Sequence, residues 1–112
     1  MMTLFGIKNC DTCRKARKAL EGQGLPFQFH DLREDGLSAP LLEHFLERVP
    51  VLTLLNKRST TWRQLSDADK ADIDANSARD LMLAHPTLIK RPLLDTGEDL
   101  LVGYRDGDYD NL

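Results

Sequence analysis

The alternation of apolar and polar positions along this 112-residue chain predicts a strand, a helix and a second strand within its first third. Residues 2–7 form a short apolar run that is typical of a strand. Residues 11–22 repeat apolar side chains at helical spacing, and the glycines at 22 and 24 are typical of a helix end. Residues 27–31 alternate and predict the second strand. A strand, a helix and a strand within about 30 residues form a βαβ unit with parallel strands.

The rest of the chain predicts helical segments followed by a hairpin. A helix is expected to open at residues 36–40, where a serine precedes a proline in the first turn. The polar residues 56–63 are expected to form a loop. Ser77 begins a segment with the form of a capping box and predicts a helix start at that residue. Residues 93–102 carry two apolar runs around Thr-Gly-Glu, which is a hairpin signal. A short terminal helix is expected within residues 104–112.

Both cysteines of the chain, Cys10 and Cys13, lie between the first strand and the first helix. If the helix starts near Cys10, the two thiols are one turn apart on the same face. Unpaired N–H groups and the helix dipole favour an anion at that end, and the thiolate is the reactive form of cysteine. Cys13 falls in line with the apolar face. The spacing therefore predicts an exposed nucleophile at Cys10 and a sheltered resolving partner at Cys13.

Two other interpretations of the C-x-x-C remain open at this point. The motif can supply half of a tetrahedral zinc site, but the chain has no further cysteines. Its three histidines, His30, His44 and His85, lack the spacing of a second ligand pair. The two cysteines can also be inert packing residues. We favour the redox pair and expect no metal.

The position of the C-x-x-C after the first strand of a βαβ unit predicts a thioredoxin-like α/β fold. We expect a mixed four-stranded sheet with helices covering both faces. The length predicts one domain spanning residues 1–112.

Composition excludes several functional classes. Charged residues make up 29% of the chain and the formal net charge is −3, which argues against a basic nucleic-acid binder. No apolar run reaches the roughly 18 residues of a membrane span, and no signal peptide is recognisable. We therefore expect a cytoplasmic protein without nucleic-acid or membrane partners. The absence of a large apolar stripe favours a monomer.

Three segments of the chain resemble the arsenate-reductase (ArsC)/Spx-like family of thioredoxin-fold proteins, and within it the small ArsC-related branch typified by YffB. The segments are residues 4–16, residues 54–63, and residues 85–86 together with 89–92. The resemblance implies a helical insertion between the βαβ unit and the hairpin. It also implies a cis bond between Arg91 and Pro92 that faces the cysteine.

The resemblance also assigns roles to individual residues. Cys10 matches the nucleophilic cysteine of the family, and Arg91 matches the arginine that binds the oxyanion in arsenate reductases. Two further arginines of the arsenate site are replaced here by Asn56 and Gly103, and Arg58 is the nearest substitute. Glutathione-dependent arsenate reductases carry serine where this chain has Cys13. These departures favour general thiol–disulfide reduction over arsenate reduction.

We therefore expect an enzyme, a cytoplasmic thiol–disulfide reductase with glutathione as co-substrate and no bound cofactor. The expected catalytic residues are Cys10, Cys13 and Arg91. The expected substrate-binding residues are Lys8, Asn9, Arg14, Arg58 and Pro92. The alternatives are an arsenate reductase and an Spx-like redox-sensing regulator that binds RNA polymerase. Spx proteins carry a basic C-terminal extension, whereas this chain ends in a short acidic segment.

Overall fold

Four strands form one mixed sheet in the order β2-β1-β3-β4. The strands are β1 (Met2–Gly6), β2 (Phe27–Asp31), β3 (Leu93–Asp95) and β4 (Leu100–Val102). β1 pairs with β2 in parallel and with β3 in antiparallel, and β3 pairs with β4 in antiparallel. The parallel βαβ unit, the closing hairpin and the mixed four-stranded sheet are therefore confirmed.

The computed structural model describes residues 1–112 and divides them into two units. The first unit contains Met1–Asp35 and Arg91–Leu112, which include all four strands. The second unit is Gly36–Lys90. The single domain expected for residues 1–112 stays a prediction.

Helix α1 (Asp11–Gly22) connects the two parallel strands of the first unit, with the bounds that the periodicity predicts. Its apolar face buries Cys13, Ala16 and Leu20. Ala16 and Leu20 pack with Leu4, Leu94 and Tyr109 in the core of this unit. These core contacts hold α1 against the sheet. The helix begins immediately after Cys10, which is its N-cap residue.

The end of the chain forms successive turns, and the terminal helix expected there is wrong. Residues 106–111 are turns rather than helix. Gly103 and Gly107 have φ angles of 78° and 93°, in the left-handed region that interrupts a right-handed helix. The turns nevertheless bury Tyr109, whose carbonyl accepts a hydrogen bond of 2.6 Å from Gln23 Nε2. The final segment therefore belongs to the core of the first unit.

The second unit contains five short helices and one 3₁₀ turn. They are α2 (Ala39–Leu46), α3 (Val51–Leu54), α4 (Thr60–Gln64), α5 (Asp67–Lys70), α6 (Ala75–Ala84) and the turn Pro86–Leu88. α2 begins as predicted, because the Ser38 hydroxyl accepts the Leu41 N–H and Pro40 lies in the first turn. This unit confirms a helical insertion between the βαβ unit and the hairpin.

Two local predictions in the second unit are wrong. α6 begins at Ala75, not at Ser77, because Asp74 is the N-cap residue and Ser77 is the third residue of the helix, where it completes the capping box. The Asp74 carboxylate accepts the Ser77 N–H, and the Ser77 hydroxyl accepts the Asp74 N–H. The loop expected at residues 56–63 contains the start of α4, which is capped by the Ser59 hydroxyl through a 3.1 Å bond from the Trp62 N–H. No helix of the protein has both the length and the apolar character needed to cross a bilayer.

Candidate active site

The loop before α1 is held at the carboxyl edge of the parallel strand pair. β1 and β2 end in register, with Gly6 opposite Asp31. Ligand sites of α/β folds commonly lie beyond the carboxyl ends of such strands. Three residues, Ile7 to Asn9, connect Gly6 to Cys10. The end of β2 therefore lies beside the loop that carries the candidate nucleophile.

Cys10 is the N-cap residue of α1 and is half-buried. Its backbone is extended, and its side chain makes no capping hydrogen bond of ordinary geometry. Burial alone would raise the pKa of the Cys10 thiol, but the Cys13 backbone N–H, the Cys13 thiol and the Arg91 guanidinium together lower that pKa below its ordinary value. These groups favour the Cys10 thiolate, which is the nucleophilic form.

Cys13 is buried, with only 1% of its surface exposed, and both cysteines are free thiols. Burial, and to a smaller extent the neighbouring Cys10, raise the pKa of Cys13 to about 12, against smaller opposing effects of the Ile7 backbone N–H and Arg91. The two thiols of the motif are therefore chemically distinct, and Cys13 is the sheltered one, as the spacing predicts.

Gly6 makes the close packing of Cys13 against β1 feasible. A Cβ atom at Gly6 would lie 2.6 Å from Cys13 Sγ and 3.3 Å from Cys13 Cβ. Real Cβ atoms do not approach sulfur so closely, so a side chain at this position would displace Cys13. Glycine at the end of β1 is therefore part of the site.

Arg91 is half-buried and interacts with Cys10 both by a side-chain hydrogen bond and by charge. The Arg91-Pro92 peptide bond is cis, which confirms the bond implied by the resemblance. Pro92 is buried, and its carbonyl accepts the Gly103 N–H at 2.8 Å. The segment that precedes β3 thus brings the Arg91 guanidinium close to Cys10 at the start of α1.

Lys8 and Arg14, two of the expected substrate-binding residues, each form an ion pair. Lys8 Nζ pairs with Glu34 at 2.6 Å, and Arg14 pairs with Asp11 at 2.6 Å, both on the exposed surface. The Glu34 carboxylate raises the pKa of Lys8. The Arg91 guanidinium is a cation that lowers the pKa of Cys10. Substrate binding by Lys8 and Arg14 stays a prediction.

An open cleft of about 380 Å³ lies beside the loop that precedes Cys10. Its lining residues come from that loop and from the end of β2 and are Ile7, Lys8, Asn9, Asp31, Arg33 and Glu34. Asn9 is exposed here, next to Cys10 in the chain. The cleft therefore adjoins the loop before Cys10, and Cys10 is not among its lining residues.

Arg58 belongs to the second unit, and its side chain is exposed. Its backbone N–H donates to Asn56 Oδ1 at 3.0 Å in the turn before α4. The role of Arg58 in substrate binding stays a prediction.

Sequence reasoning missed two residues that shape the site. The sequence analysis places Asp31 in the second strand and Gly6 in the first, and it gives neither residue a role in the site. The one available signal for Asp31 is its place at the end of a parallel strand, followed by a polar turn. No sequence pattern reports the close approach of Gly6 to Cys13, which depends on how α1 lies against β1.

Comparison with known proteins finds relatives that align along nearly the whole chain. Residues 5–112 match the model of the ArsC family. A Haemophilus influenzae protein described as uncharacterized is 39% identical over 109 residues, which cover 97% of this chain and 96% of that protein. The global transcriptional regulator Spx of Lactiplantibacillus plantarum is 29% identical over 110 residues, covering 96% of this chain and 83% of that regulator.

Solved structures with the same architecture include two that are more than 40% identical to this chain. A protein named YFFB superposes with a TM-score of 0.88 at 41% identity, covering 94% of this chain and 92% of its own. An arsenate reductase (ArsC) related protein from Brucella melitensis superposes with a TM-score of 0.80 at 45% identity, covering 99% of this chain and 95% of its own.

Proposed function

The chain belongs to the ArsC family, with its thioredoxin-like fold, and from this premise we propose that it is a thiol–disulfide reductase with Cys10 as its nucleophile. Glutathione is the proposed co-substrate. The proposal places the enzyme in a reducing compartment such as the cytoplasm, where a C-x-x-C pair is more often catalytic than structural.

The observation that carries this proposal is the opposite behaviour of the two thiols. The Cys13 backbone N–H and Arg91 lower the pKa of the half-buried Cys10, while burial raises that of Cys13 to about 12. A reductase needs one thiolate that can meet its substrate and one thiol that stays protonated until the first step is complete. Two inert packing cysteines would have no need of a guanidinium beside one of them.

The proposed first step forms a mixed disulfide. The Cys10 thiolate attacks one sulfur of the substrate disulfide, the sulfur–sulfur bond breaks, and the departing thiolate takes a proton from water. Arg91 binds a carboxylate of the substrate through its planar guanidinium, which can form two parallel hydrogen bonds. The cleft beside Lys8 and Asn9 holds the remainder of the substrate.

Cys13 resolves the mixed disulfide in the favoured route. It loses its proton and attacks Cys10 Sγ, which forms the Cys10–Cys13 disulfide and releases the second substrate thiolate. Burial raises the pKa of Cys13, so only a small fraction of Cys13 is thiolate at neutral pH. Well-oriented intramolecular attack has an effective molarity of about 10⁵ M or more, which offsets that small fraction. Two glutathione thiols then supply two electrons, and oxidised glutathione is released.

Attack by glutathione on the mixed disulfide is the alternative to resolution by Cys13. Glutathione in solution would have to compete with the effective molarity of a neighbouring thiol, which is about 10⁵ M or more. The external route therefore becomes the principal one only if Cys13 cannot leave its buried position.

Mass spectrometry after exposure to oxidised glutathione tests the proposed function. The Cys13→Ser variant should accumulate one glutathione adduct on Cys10, while the wild type should convert to the Cys10–Cys13 disulfide. Cys10→Ser is the matched control and should take no adduct. A Cys10→Ser protein that is modified as fast as the wild type would contradict the proposal. If Cys13→Ser sustains normal turnover with glutathione, Cys10 remains the nucleophile and the external route replaces resolution by Cys13.

Arsenate reduction is a second candidate, favoured by the guanidinium of Arg91 beside Cys10. The Brucella melitensis relative is described as related to arsenate reductase. The candidate is weaker, because the resemblance implies that Asn56 and Gly103 replace the other two arginines of the arsenate site. Arsenate turnover by the purified protein would separate it from disulfide reduction.

A redox-sensing regulator is the candidate from another class, and the similarity to Spx along 96% of this chain favours it. In such a protein, the Cys10–Cys13 disulfide would act as a switch rather than as a catalytic intermediate. Co-purification of RNA polymerase with the tagged chain, in one redox state only, would support the regulator over the reductase.

A further inference from the structure

Asp31 is a buried carboxylate at the carboxyl end of β2, with only 4% of its surface exposed. It lies opposite Gly6, the last residue of β1, because the two strands are parallel and in register. A carboxylate seldom occupies such a position unless its oxygens are satisfied by hydrogen bonds. Asp31 is therefore expected to hold specific partners.

The partners of the Asp31 carboxylate are backbone N–H groups from two segments, the turn after β2 and the loop after β1. Asp31 Oδ1 accepts the N–H groups of Arg33 and Glu34 at 2.8 and 2.9 Å. Asp31 Oδ2 accepts the N–H of Lys8 at 3.0 Å, a residue 23 positions earlier in the chain. Burial opposes the charged form, but these three hydrogen bonds and the Lys8 ammonium lower the pKa of Asp31 below its usual value.

The bond to Lys8 fixes the middle of a very short loop. Only Ile7, Lys8 and Asn9 separate the end of β1 from Cys10. Both ends of this loop are held, since Gly6 is in the sheet and Cys10 caps α1. The Ile7 N–H also contributes to the environment of the Cys13 thiol. A loop of three residues anchored at its centre has little freedom to move its sulfur-bearing neighbour.

We propose that Asp31 is a positioning residue for the Cys10 thiol, holding the loop Ile7–Asn9 so that Cys10 Sγ meets the Cys13 N–H and Arg91. Asp31 does not touch the substrate or the reacting sulfur in this role. The proposal rests on the proposed function only in treating Cys10 as the nucleophile.

A direct electrostatic role for Asp31 would have the opposite sign. The negative charge of Asp31 disfavours a nearby thiolate, so its removal alone would lower the pKa of Cys10. Loss of positioning would raise that pKa, because Cys10 Sγ would lose its alignment with its donors. The direction of the change therefore separates the two roles. The other charged groups around Asp31 are Lys8, Arg33, Glu34 and Asp35, all on the same two loops.

The experiment is alkylation of Cys10 by iodoacetamide as a function of pH in Asp31→Ala, with the modified cysteine identified by mass spectrometry. We expect the midpoint to rise by about half a unit to one unit, which makes alkylation at pH 6.5 about three- to tenfold slower. The rate above pH 10 should be unchanged, because the fully formed thiolate reacts equally well. A midpoint that is unchanged or lower than in the wild type would overturn the proposal.

Asp35→Asn is the matched control. Asp35 Oδ2 accepts the Asp31 N–H at 2.9 Å, so this variant removes a carboxylate from the same turn without touching the Lys8 N–H. We expect its alkylation profile to follow the wild type. A rise equal to that in Asp31→Ala would overturn the assignment to the Lys8 bond.

Measurements on the wild type keep the proposal testable if Asp31→Ala does not fold. The Lys8 amide should be protected from hydrogen exchange at neutral pH, and its resonance should titrate with the Asp31 carboxyl, below the usual aspartate range. A freely exchanging Lys8 amide would overturn the proposal. If wild-type Cys10 instead titrates like a free cysteine, the proposed function fails, and the Lys8 amide still decides whether Asp31 anchors the loop.

Discussion

Gly6 and Cys13 are in direct contact across β1 and α1, at a distance that leaves no space for a Cβ atom. A Cβ atom built on Gly6 would lie 2.6 Å from Cys13 Sγ. The contact links the exit of the first strand to the second cysteine of the C-x-x-C motif. It explains why the buried thiol lies so close to the loop that carries Cys10.

Gly6→Ala should therefore destabilise the protein by about 1–3 kcal/mol, the usual range for overpacking a core. In the absence of the contact, alanine in a strand would be favoured over glycine by about 0.5–1 kcal/mol. Urea denaturation of Gly6→Ala, Cys13→Ala and the double variant measures the coupling between the two positions. The cost of Gly6→Ala should be smaller in the Cys13→Ala background, where the sulfur is absent.

Gly22→Ala is the control for the glycine substitution. No atom lies within 4 Å of a Cβ at this position, at the end of α1. The same substitution should stabilise the protein there by about 0.5–1 kcal/mol. Equal effects at Gly6 and Gly22 would contradict the steric account of Gly6.

Arg91→Lys should impair disulfide reduction although the positive charge is retained. Lysine cannot reproduce two parallel hydrogen bonds to a carboxylate, and each charge-assisted bond is worth roughly 1.5–3 kcal/mol. We expect a loss of about tenfold or more in kcat/KM for glutathione-containing disulfides. Arg105→Lys, in the exposed turn near the end of the chain, is the control and should behave as the wild type.

The same assays on arsenate test the limits of the site. Arg91 interacts with Cys10, and the resemblance to arsenate reductases places Asn56 and Gly103 at the other two arginine positions, so we expect weak or absent arsenate reduction. Robust arsenate turnover by the wild type, or unchanged disulfide reduction in Arg91→Lys, would show that Arg91 does not act in this way.

Tyr109→Phe should leave the stability unchanged or raise it by about 1 kcal/mol. Tyr109 is 1% exposed, and its hydroxyl makes no hydrogen bond to another group of the protein. Burying a hydroxyl without a partner costs about 1–3 kcal/mol in proteins, so its removal relieves part of that cost. Thermal denaturation measures the change. A loss of more than about 1 kcal/mol would mean that the hydroxyl has a partner.

Local periodicity predicted the elements whose formation depends on near neighbours in the chain. α1 occupies residues 11–22 and β2 occupies residues 27–31, as the sequence pattern indicates. The capping-box pattern that starts at Ser77 predicts a helix start at that residue. Serine and aspartate are both favoured as N-cap residues, and the structure uses Asp74, three positions earlier. The terminal helix was wrong because Gly103 and Gly107 adopt left-handed conformations that the pattern does not reveal.

The candidate site was predictable where its chemistry lies in the motif and unpredictable where it depends on packing. The spacing of Cys10 and Cys13 was enough to distinguish a thiol at the helix start from a buried one. The approach of Arg91 came from resemblance, because no local pattern brings residue 91 to residue 10. The ion pair of Lys8 with Glu34 is not visible in the sequence, because it depends on the loop before Cys10 lying beside the turn after β2. The anchoring of the loop by Asp31 depends on the parallel register of two strands and was not foreseen.

The most direct test of the central claim is the rate of Cys10 alkylation against pH in the wild-type protein, with each cysteine followed separately by mass spectrometry. The Cys13 N–H and Arg91 lower the pKa of Cys10, so its thiolate forms, and its alkylation accelerates, at a lower pH than for a free thiol. The account predicts a midpoint for Cys10 clearly below about 8.5, the value of free cysteine, and no alkylation of native Cys13 in the same range. A midpoint at or above that value, or modification of both cysteines at similar rates, would contradict the account.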